Sequence, residues 1–405
     1  MQPQMIQRIL YKVEAIPSLP AAVQRLGQLA QDPEANESDL IQVISSDEVL
    51  TSRILRAANS PFYGLSQRIS TVSHAIVVLG LQTIRNLALG VSVFGARMGA
   101  DHAHSLHRDD LWRHALTVAT TARQVSRLLG DPDPELVFTA GLLHDIGQVV
   151  LIEFFSPEYT PVLEQAALGD LPLHVLEERA LGIHHAAVGV EICRHWKLPP
   201  AVGQIVSRHH QSLQRSGPLS AEDRRVVAVQ VADNLARIAQ IGSDGEPGVQ
   251  PDFLSVLDTE EILPAQLRQL LLTLPEEVRK AEVFFDIAAS STPAKSDHGP
   301  LDRAGVFLAD RREREIVRLV LLSLGYTLVP IEEMRSQNGP LAGVVADDSL
   351  PPDLIQLLQQ NGTPLLDFAA WRGGSSAANK PAQINIPHLQ QWLADNLPPA
   401  PAADP

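Results

Sequence analysis

The stretch Gly141-Leu142-Leu143-His144-Asp145-Ile146-Gly147 sets a histidine and an aspartate side by side inside an apolar run. The run continues through Val149-Val150-Leu151-Ile152, so both polar side chains are expected to be buried in a helical core. Burying a charged group is costly unless a partner compensates it. A metal ion is one such partner, and the stretch therefore indicates a candidate metal site.

Residues of the same chemical types recur along the chain, at positions that separate helices would carry. Imidazole and carboxylate ligands suit Zn, Fe, Mn or Ni, and the sequence does not choose among these metals. The single cysteine, Cys193, can form neither an internal disulfide nor a thiolate zinc site. We expect one or two divalent ions. The candidate metal ligands are His114, His144, Asp145, His185, His209, His210 and Asp233.

Two neighbouring residues remain open as ligands. Asp110 lies one helical turn before His114 and could add a carboxylate. His184 is either not a ligand or the true ligand in place of His185. Each candidate also has a purely structural interpretation, because buried polar side chains are commonly satisfied by hydrogen bonds within the core. We expect structural or surface roles for His74, His174 and His195.

Helical spacing of apolar residues dominates the chain from Ile6 to about Gly99 and again from about Asp110 to Asp286. In the second region, Leu111 to Leu129 predicts one helix and Asp131-Pro132-Asp133-Pro134 a turn. Glu135 to Phe155 predicts a second helix, which would run unbroken through the His144-Asp145 pair. No strand pattern interrupts these regions, so the sequence predicts an all-α body.

Beyond about residue 300 the pattern changes to short buried strands that alternate with helices. This alternation is typical of a small α/β domain with a parallel sheet. The predicted fold class is therefore mainly α, with a helical domain followed by a small α/β domain. The predicted strands are Gly305 to Asp310, Tyr326 to Val329, Leu341 to Ala346 and Pro364 to Phe368, with helices over Arg311 to Leu324 and Asp353 to Gln360.

The domain boundaries follow from these changes of pattern. Residues 1–105 and 106–287 are predicted to form two helical subdomains, and 301–397 the α/β domain. Residues 288–300 are small, polar and interrupted by proline, which predicts a flexible linker. Residues 398–405 are predicted to be a disordered tail.

Composition restricts the class of function. The formal net charge of −15 argues against a DNA- or RNA-binding surface, which needs clustered Lys and Arg. No apolar run reaches the ~18 residues that a membrane span needs, and the N-terminus shows no signal-peptide core. We therefore expect a cytoplasmic protein that binds no membrane.

A family resemblance rests on motifs spread over roughly residues 6 to 240. Together they resemble the HDOD family, the HD-related output domain, which implies an all-α fold for this part. The motifs are Ile16-Pro17-Ser18-Leu19-Pro20, Ile54-Leu55-Arg56-Ala57-Ala58-Asn59-Ser60 with Phe62-Tyr63-Gly64, Ser73 to Gly80, Ala140 to Gly147, His185-Ala186-Ala187-Val188-Gly189 and Trp196-Lys197-Leu198-Pro199.

The histidines and aspartates also resemble those of the HD superfamily of metal-dependent phosphohydrolases and of its HD-GYP branch of cyclic dinucleotide phosphodiesterases. Two departures bear on catalysis. Gln148 stands where HD-GYP enzymes have a lysine that contacts substrate phosphate, and no Gly-Tyr-Pro follows His209-His210. HDOD proteins are generally regarded as regulatory output modules of bacterial signalling, without established hydrolase activity.

The C-terminal segment resembles a degenerate, shortened receiver domain of response regulators. Val344-Val345-Ala346-Asp347 resembles the phosphoacceptor strand and Lys380-Pro381 the lysine-proline pair. The acidic pair expected after the first strand is reduced to Asp310, so the resemblance implies a receiver used for contacts.

Two functions of different classes follow from these patterns. The first is a bacterial signalling output protein that binds a partner protein or a nucleotide second messenger without catalysis. The second is a metal-dependent phosphohydrolase or phosphodiesterase, acting on a nucleotide or cyclic dinucleotide. Expected partners are thus signalling proteins or a nucleotide second messenger, with a homodimer as a further option.

Overall fold

The computed structural model describes most of the chain. The predicted linker at 288–300, the tail at 398–405 and Lys380-Pro381 lie outside the described residues. The described residues are 2–16, 25, 29, 37–59, 68–80, 83–84, 105–168, 171–211, 219–249, 253–254, 262–285, 303–324, 326–329, 341–347, 349–361, 363–371 and 384–397.

The described part of the chain before residue 286 is almost entirely helical, as the sequence predicts. The helices are α1 (Gln2–Glu14), α2 (Glu37–Ser45), α3 (Glu48–Ala58), α4 (Val72–Leu79), α5 (Ser105–Leu128), α6 (Pro134–Leu143), α7 (Ile146–Phe154), α8 (Ser156–Ala166), α9 (Leu173–Leu181), α10 (His185–His195), α11 (Pro200–Arg208), α12 (Ala221–Ala239) and α13 (Pro264–Phe285).

Helix α5 is the centre of this body and packs against α6, α12 and α13. Small and β-branched residues line it, and Val118, Ala119 and Ala122 are completely buried. Every residue from His114 to Arg123 is buried, including the polar ones, so the middle of this helix lies inside the core. Polar residues on α5 are therefore candidates for a buried site.

The helix predicted from Glu135 to Phe155 is in fact two helices, α6 and α7, and this part of the prediction is wrong. Helix α6 begins as expected, because the Asp133 carboxylate accepts a hydrogen bond from the Leu136 N–H at 3.1 Å. It ends at Leu143, and α7 begins at Ile146. The chain therefore bends at the His144-Asp145 pair.

Gly147 allows α7 to approach α10 very closely. A Cβ atom at this position would lie 2.0 Å from the carbonyl oxygen of His185 and 2.9 Å from the backbone nitrogen of Gly189. Because backbone atoms cannot move aside cheaply, only glycine fits. This contact brings His185 next to the His144-Asp145 pair.

The stretch Pro134–Phe154 is long and apolar enough to pass a length and composition test for a membrane span. This differs from our expectation that no run would qualify. In the structure, 94% of its apolar window is buried inside the protein. Core helices pass the same test, and here the stretch forms the two core helices α6 and α7.

The C-terminal part contains a small parallel sheet, as the alternating pattern predicts. Its strands are β2 (Arg303–Phe307), β3 (Thr327–Val329), β4 (Gly343–Ala346) and β5 (Leu365–Asp367). They lie in the order β3-β2-β4-β5, and every neighbouring pair is parallel. The first strand ends at Phe307, earlier than predicted, and Asp310 instead caps the next helix. The helices of this part are α14 (Arg311–Ser323), α15 (Pro352–Gln360), α16 (Phe368–Trp371) and α17 (Ile386–Asn396).

A second, two-stranded sheet joins the helical body to the C-terminal part. Strand β1 (Gly248–Val249) pairs antiparallel with β6 (Ile384–Asn385). An ion pair of 2.7 Å between Arg268 on α13 and Glu315 on α14 adds to this contact. The two parts share one apolar core.

The close contact at Gly147 gives a direct test of the fold. Gly147→Ala should lower the free energy of unfolding by about 1–3 kcal/mol or more, because an overpacked core distorts its surroundings. The matched control is Gly203→Ala on α11, where a Cβ would meet its nearest neighbour at an ordinary 3.7 Å. Chemical denaturation should show Gly203→Ala as neutral or stabilising. Equal stabilities for the two variants would contradict the described packing of α7 on α10.

Candidate metal centre

The His144-Asp145 pair lies in the break between α6 and α7. Asp145 precedes α7, but its side chain makes no capping hydrogen bond to that helix. The carboxylate is instead turned inward and is only 3% exposed. The break therefore allows two consecutive side chains to face the same buried site.

Three histidines of this site have their Nδ1 atoms fixed by hydrogen bonds. His144 Nδ1 donates to the carbonyl of Gly141 and His209 Nδ1 to the carbonyl of Val206, each at 2.7 Å. His185 Nδ1 lies 2.6 Å from the carboxylate of Glu177. Such bonds orient a ring and leave Nε2 as the atom that can bind a metal.

Asp145 stands between the Nε2 atoms of four histidines. Its Oδ2 lies 3.0 Å from His144 Nε2 and 3.9 Å from His114 Nε2. Its Oδ1 lies 3.3 Å from His185 Nε2 and 3.5 Å from His209 Nε2. The two carboxylate oxygens thus face two different sets of imidazoles.

All seven predicted ligands come together in two adjoining groups, which we call the His/Asp cluster. Within each group, one ligand atom per residue lies within 4.8 Å of every other. His210 Nε2 is 2.7 Å from His185 Nε2, and His114 Nε2 is 3.1 Å from Asp233 Oδ1. The groups are Asp145, His185, His209 and His210 on one side, and His114, His144 and Asp233 on the other.

Two atoms in the middle of the cluster support the fit to a metal ion. His144 Nε2 and Asp145 Oδ2 are buried and lie 3.0 Å apart as a potential ion pair, but neither atom makes a hydrogen bond of good geometry to any described residue. Orphaned buried polar atoms are costly and need an explanation. Two ligands that each lie about 2.1 Å from one ion are roughly 3 Å from each other, so a divalent ion would satisfy both.

The protonation states also suit a metal site. Burial would raise the pKa of the Asp145 carboxyl, but the charge of His144 and hydrogen bonds from His185 and His209 hold it well below its usual range. Burial and the neighbouring His209 hold the pKa of His210 well below its usual range. Metal ligands must be ionised carboxylates and neutral imidazoles, and these two residues already meet that condition.

His144 and His185 are different, because nearby carboxylates outweigh the effect of burial and raise the pKa of each imidazole. For His144 the main carboxylate is Asp145, and for His185 it is Glu177. Without a metal ion, the raised pKa values favour protonated imidazoles, whose positive charge offsets the negative charge of the buried carboxylates. A metal ion would take over this role and release the protons.

Arg237, one turn after Asp233 on α12, borders the cluster. Its guanidinium lies 3.0 Å from Asp233 Oδ2, 2.6 Å from Asp244 Oδ2 and 3.7 Å from Glu246 Oε2. Burial, only partly opposed by Arg237, raises the pKa of Glu246 to about 7. Asp244 Oδ2 also lies 3.9 Å from His114 Nε2 and forms a third group of potential ligands with His114 and Asp145.

The sequence did not reveal Glu177, Arg237 or Asp244 as members of this site. Arg237 follows Asp233 by four residues, which is an ordinary helical ion-pair spacing and was the one available signal. Asp244 lies in a loop, and Glu177 meets His185 only because α9 turns back on α10. Neither Asp244 nor Glu177 belongs to a recognisable sequence motif.

The two residues left open as ligands lie outside the groups of potential ligands. Asp110 is half exposed, and its carboxylate accepts a hydrogen bond from Arg113 at 3.2 Å. His184 contacts the ring of His185 but does not share its group. We expect a structural or surface role for His174. Its ring stacks on that of His210 with 4.4 Å between the ring centroids, and burial lowers the pKa of His174 to about 3.

In the C-terminal part, Asp347 and Asp310 both bind backbone N–H groups. Asp347 Oδ2 accepts from Ala309 N at 2.8 Å, and Asp347 Oδ1 from Ser349 N at 3.0 Å. Asp310 Oδ1 caps α14 through Arg312 and Glu313. The receiver-like interpretation of this part remains a prediction.

Comparison with known proteins connects this site to a family. Residues 16–212 match the sequence profile of the HDOD domain. A protein of Treponema pallidum (strain Nichols) is 27% identical over 202 residues, which cover 49% of this chain and 38% of that protein. The chain therefore spans less than half the length of this curated relative.

Two solved structures share the helical fold. An HDOD domain protein with unknown function from Geobacter sulfurreducens is 25% identical, with a TM-score of 0.52, over 69% of this chain and 88% of that chain. A protein of Marinobacter aquaeolei VT8, provisionally named a signal transduction protein, is 21% identical, with a TM-score of 0.55, over 70% of this chain and 66% of that chain. The matched profile and the shared fold confirm that the chain carries an HDOD domain over residues 16–212.

Proposed function

We propose that this HDOD domain holds one or two divalent metal ions in the His/Asp cluster and acts as a signalling output module. It binds a nucleotide second messenger or a partner protein and does not catalyse a reaction. One observation carries the proposal: the Nε2 atoms of four histidines surround the Asp145 carboxylate, while hydrogen bonds fix the Nδ1 atoms of three of them. This donor set suits a divalent cation.

The two groups of the cluster suggest how the ions are held. We assign one ion to His114, His144 and Asp233, and a second to His185, His209 and His210. Asp145 would contribute one oxygen to each, because its two oxygens face different imidazoles. A bound ion would supply positive charge to the buried carboxylates and take the place of imidazole protons.

Two features favour binding over catalysis. The imidazoles of His144, His185 and His209 are almost completely buried, so a substrate would have to open the domain. Gln148, which replaces the lysine of HD-GYP enzymes, brings no charge. A phosphoryl-transfer site needs positive charge on the non-bridging oxygens, and a neutral amide supplies little.

A metal-dependent phosphohydrolase is the second candidate. It is favoured by the position of Asp145 between two groups of ligands, since paired ions that share a ligand are typical of enzymes that cleave phosphate esters. In that case a nucleotide or cyclic dinucleotide would be the substrate.

We also propose a location for the protein, a role for its C-terminal part and an oligomeric state. We place the protein in the cytoplasm, with a receiver-like C-terminal domain for contacts and, as a further option, a homodimer. The net charge of −15 supports partners other than DNA or RNA.

Elemental analysis of the untagged protein tests the metal centre. The purified chain should contain one to two equivalents of Mn, Fe, Zn or Ni. Asp145→Asn should lose at least half of them, because this carboxylate faces both groups. The matched control is His388→Gln, at an exposed residue on α17, which should keep the content of the natural chain. Equal metal contents in the two variants would remove the assigned site.

Assays with the Mn²⁺-loaded protein separate the two candidate functions. We expect a linear or cyclic nucleotide to bind in calorimetry without turnover, or, if none binds, a signalling protein to be recovered by pull-down from the native host. Turnover that disappears in Asp145→Asn would replace the first function by the second. Absence of nucleotide binding, of turnover and of a recovered signalling protein would overturn both.

A further inference from the structure

Residues 240–249 connect the His/Asp cluster to the C-terminal part of the chain. At one end, Gly242 packs so closely on α5 that a Cβ there would lie 2.2 Å from the backbone nitrogen of His114. The next residue, Ser243, donates its N–H to the carbonyl of Asp110 at 3.0 Å. The segment therefore starts against the helix that carries His114.

Asp244 is held at the middle of this segment by both carboxylate oxygens. Its Oδ1 accepts a hydrogen bond from the N–H of Glu246 at 3.1 Å. Its Oδ2 accepts a hydrogen bond from the Arg237 guanidinium at 2.6 Å and lies 3.9 Å from His114 Nε2. This second oxygen needs only a small displacement toward His114 to share an ion with it.

The far end of the segment is bound by the C-terminal part. The carbonyl of Pro247 accepts the N–H of Ile386 at 3.0 Å, and Gly248 and Val249 pair with Asn385 and Ile384. Only two residues separate Asp244 from Pro247, where this contact begins. The side chains of Val249, Ile384 and Ile386 are completely buried, so the contact is a packed one.

A second contact reaches the helix that carries Asp233 and Arg237. Gln390 Nε2 on α17 donates to the carbonyl of Ile238 at 3.4 Å and to Ser323 Oγ at 3.2 Å. The C-terminal part thus holds both the segment with Asp244 and the end of α12.

From these contacts we propose that the docked C-terminal domain positions Asp244 as an additional carboxylate ligand of the ion at His114. The affinity for this ion then depends on docking, and the C-terminal domain regulates the metal centre through residues 244–249. This inference rests on the proposed metal centre. The competing role for Asp244 is that of a counter-ion to Arg237 alone.

The test uses the full chain, stripped by chelator and titrated with Mn²⁺ alone in a calorimeter. Asp244→Asn should weaken binding of the ion at His114 by about tenfold to a hundredfold. The binding transition that weakens in this variant is thereby assigned to that ion. Ile384→Ala, which loosens the β1–β6 contact without touching a ligand, should weaken the same transition by at least about tenfold.

Leu354→Ala is the matched control for Ile384→Ala. Leu354 is also buried in the C-terminal part, but it belongs to a separate apolar cluster with Val344 and Leu358. This variant should destabilise the α/β domain without weakening the ion at His114. Hydrogen exchange of the amides at 244–249 should increase in Ile384→Ala and stay unchanged in Leu354→Ala.

A reversible disulfide provides a second test in case Ile384→Ala folds poorly. Gly248 and Asn385 are direct partners in an antiparallel pair, whose Cα atoms lie about 4.5–5.5 Å apart, within the range of a disulfide. Gly248→Cys with Asn385→Cys, added to Ile384→Ala, should restore the affinity when oxidised and lose it when reduced. The natural Cys193 is buried and will not compete.

The outcomes separate the two proposals. If the natural chain binds no Mn²⁺, the metal centre fails and this inference fails with it. If Mn²⁺ binds, but Ile384→Ala increases exchange at 244–249 without changing the affinity, the metal centre stands and positioning by the C-terminal domain is overturned. If the oxidised disulfide variant does not regain its affinity for Mn²⁺, positioning by the C-terminal domain is likewise overturned.

Discussion

The buried carboxylate of Asp145 is the constraint on which the rest of this structure depends. An isolated carboxylate in a helical core would cost several kcal/mol, on the order estimated for buried ions even after relaxation. Four imidazoles compensate it, and hydrogen bonds on the far side hold the rings of three of them, His144, His185 and His209. The surrounding helices are therefore arranged to deliver imidazole nitrogens to this carboxylate.

Glycines make this arrangement possible. Gly147 lets α7 and α10 approach closely enough for His185 to reach Asp145, and Gly242, with a φ of +73°, lets the segment after α12 lie against His114. The left-handed conformation at Gly242 would strain any other residue. The site and the packing of the domain are consequently inseparable, because the same contacts close both.

Sequence reasoning singled out the seven histidines and aspartates because the His144-Asp145 pair interrupts an apolar run and residues of the same types recur along the chain. Burial without a visible partner is a signal that a single sequence carries. The break at His144-Asp145 was not predicted, because the apolar pattern runs through it and Asp145 makes no capping bond that a sequence motif would indicate. Continuous periodicity marks a buried segment and not an unbroken helix.

The parts that escaped prediction depend on residues distant in the chain. Glu177, Asp244 and Arg237 acquire their roles through tertiary contacts. Strands β1 and β6 have two residues each, too short for any periodic signal. The parallel sheet was predictable because its strands are continuous apolar runs between helices. What links the sheet to the site is visible only in three dimensions.

Anomalous X-ray scattering from a crystal grown with Mn²⁺ would show whether the His/Asp cluster holds a metal ion. We predict at least one anomalous peak inside the domain, within coordination distance of Asp145 and of one of His114, His144, His185 or His209. A well-ordered His/Asp cluster without such a peak, or peaks confined to surface histidines such as His388, would contradict it.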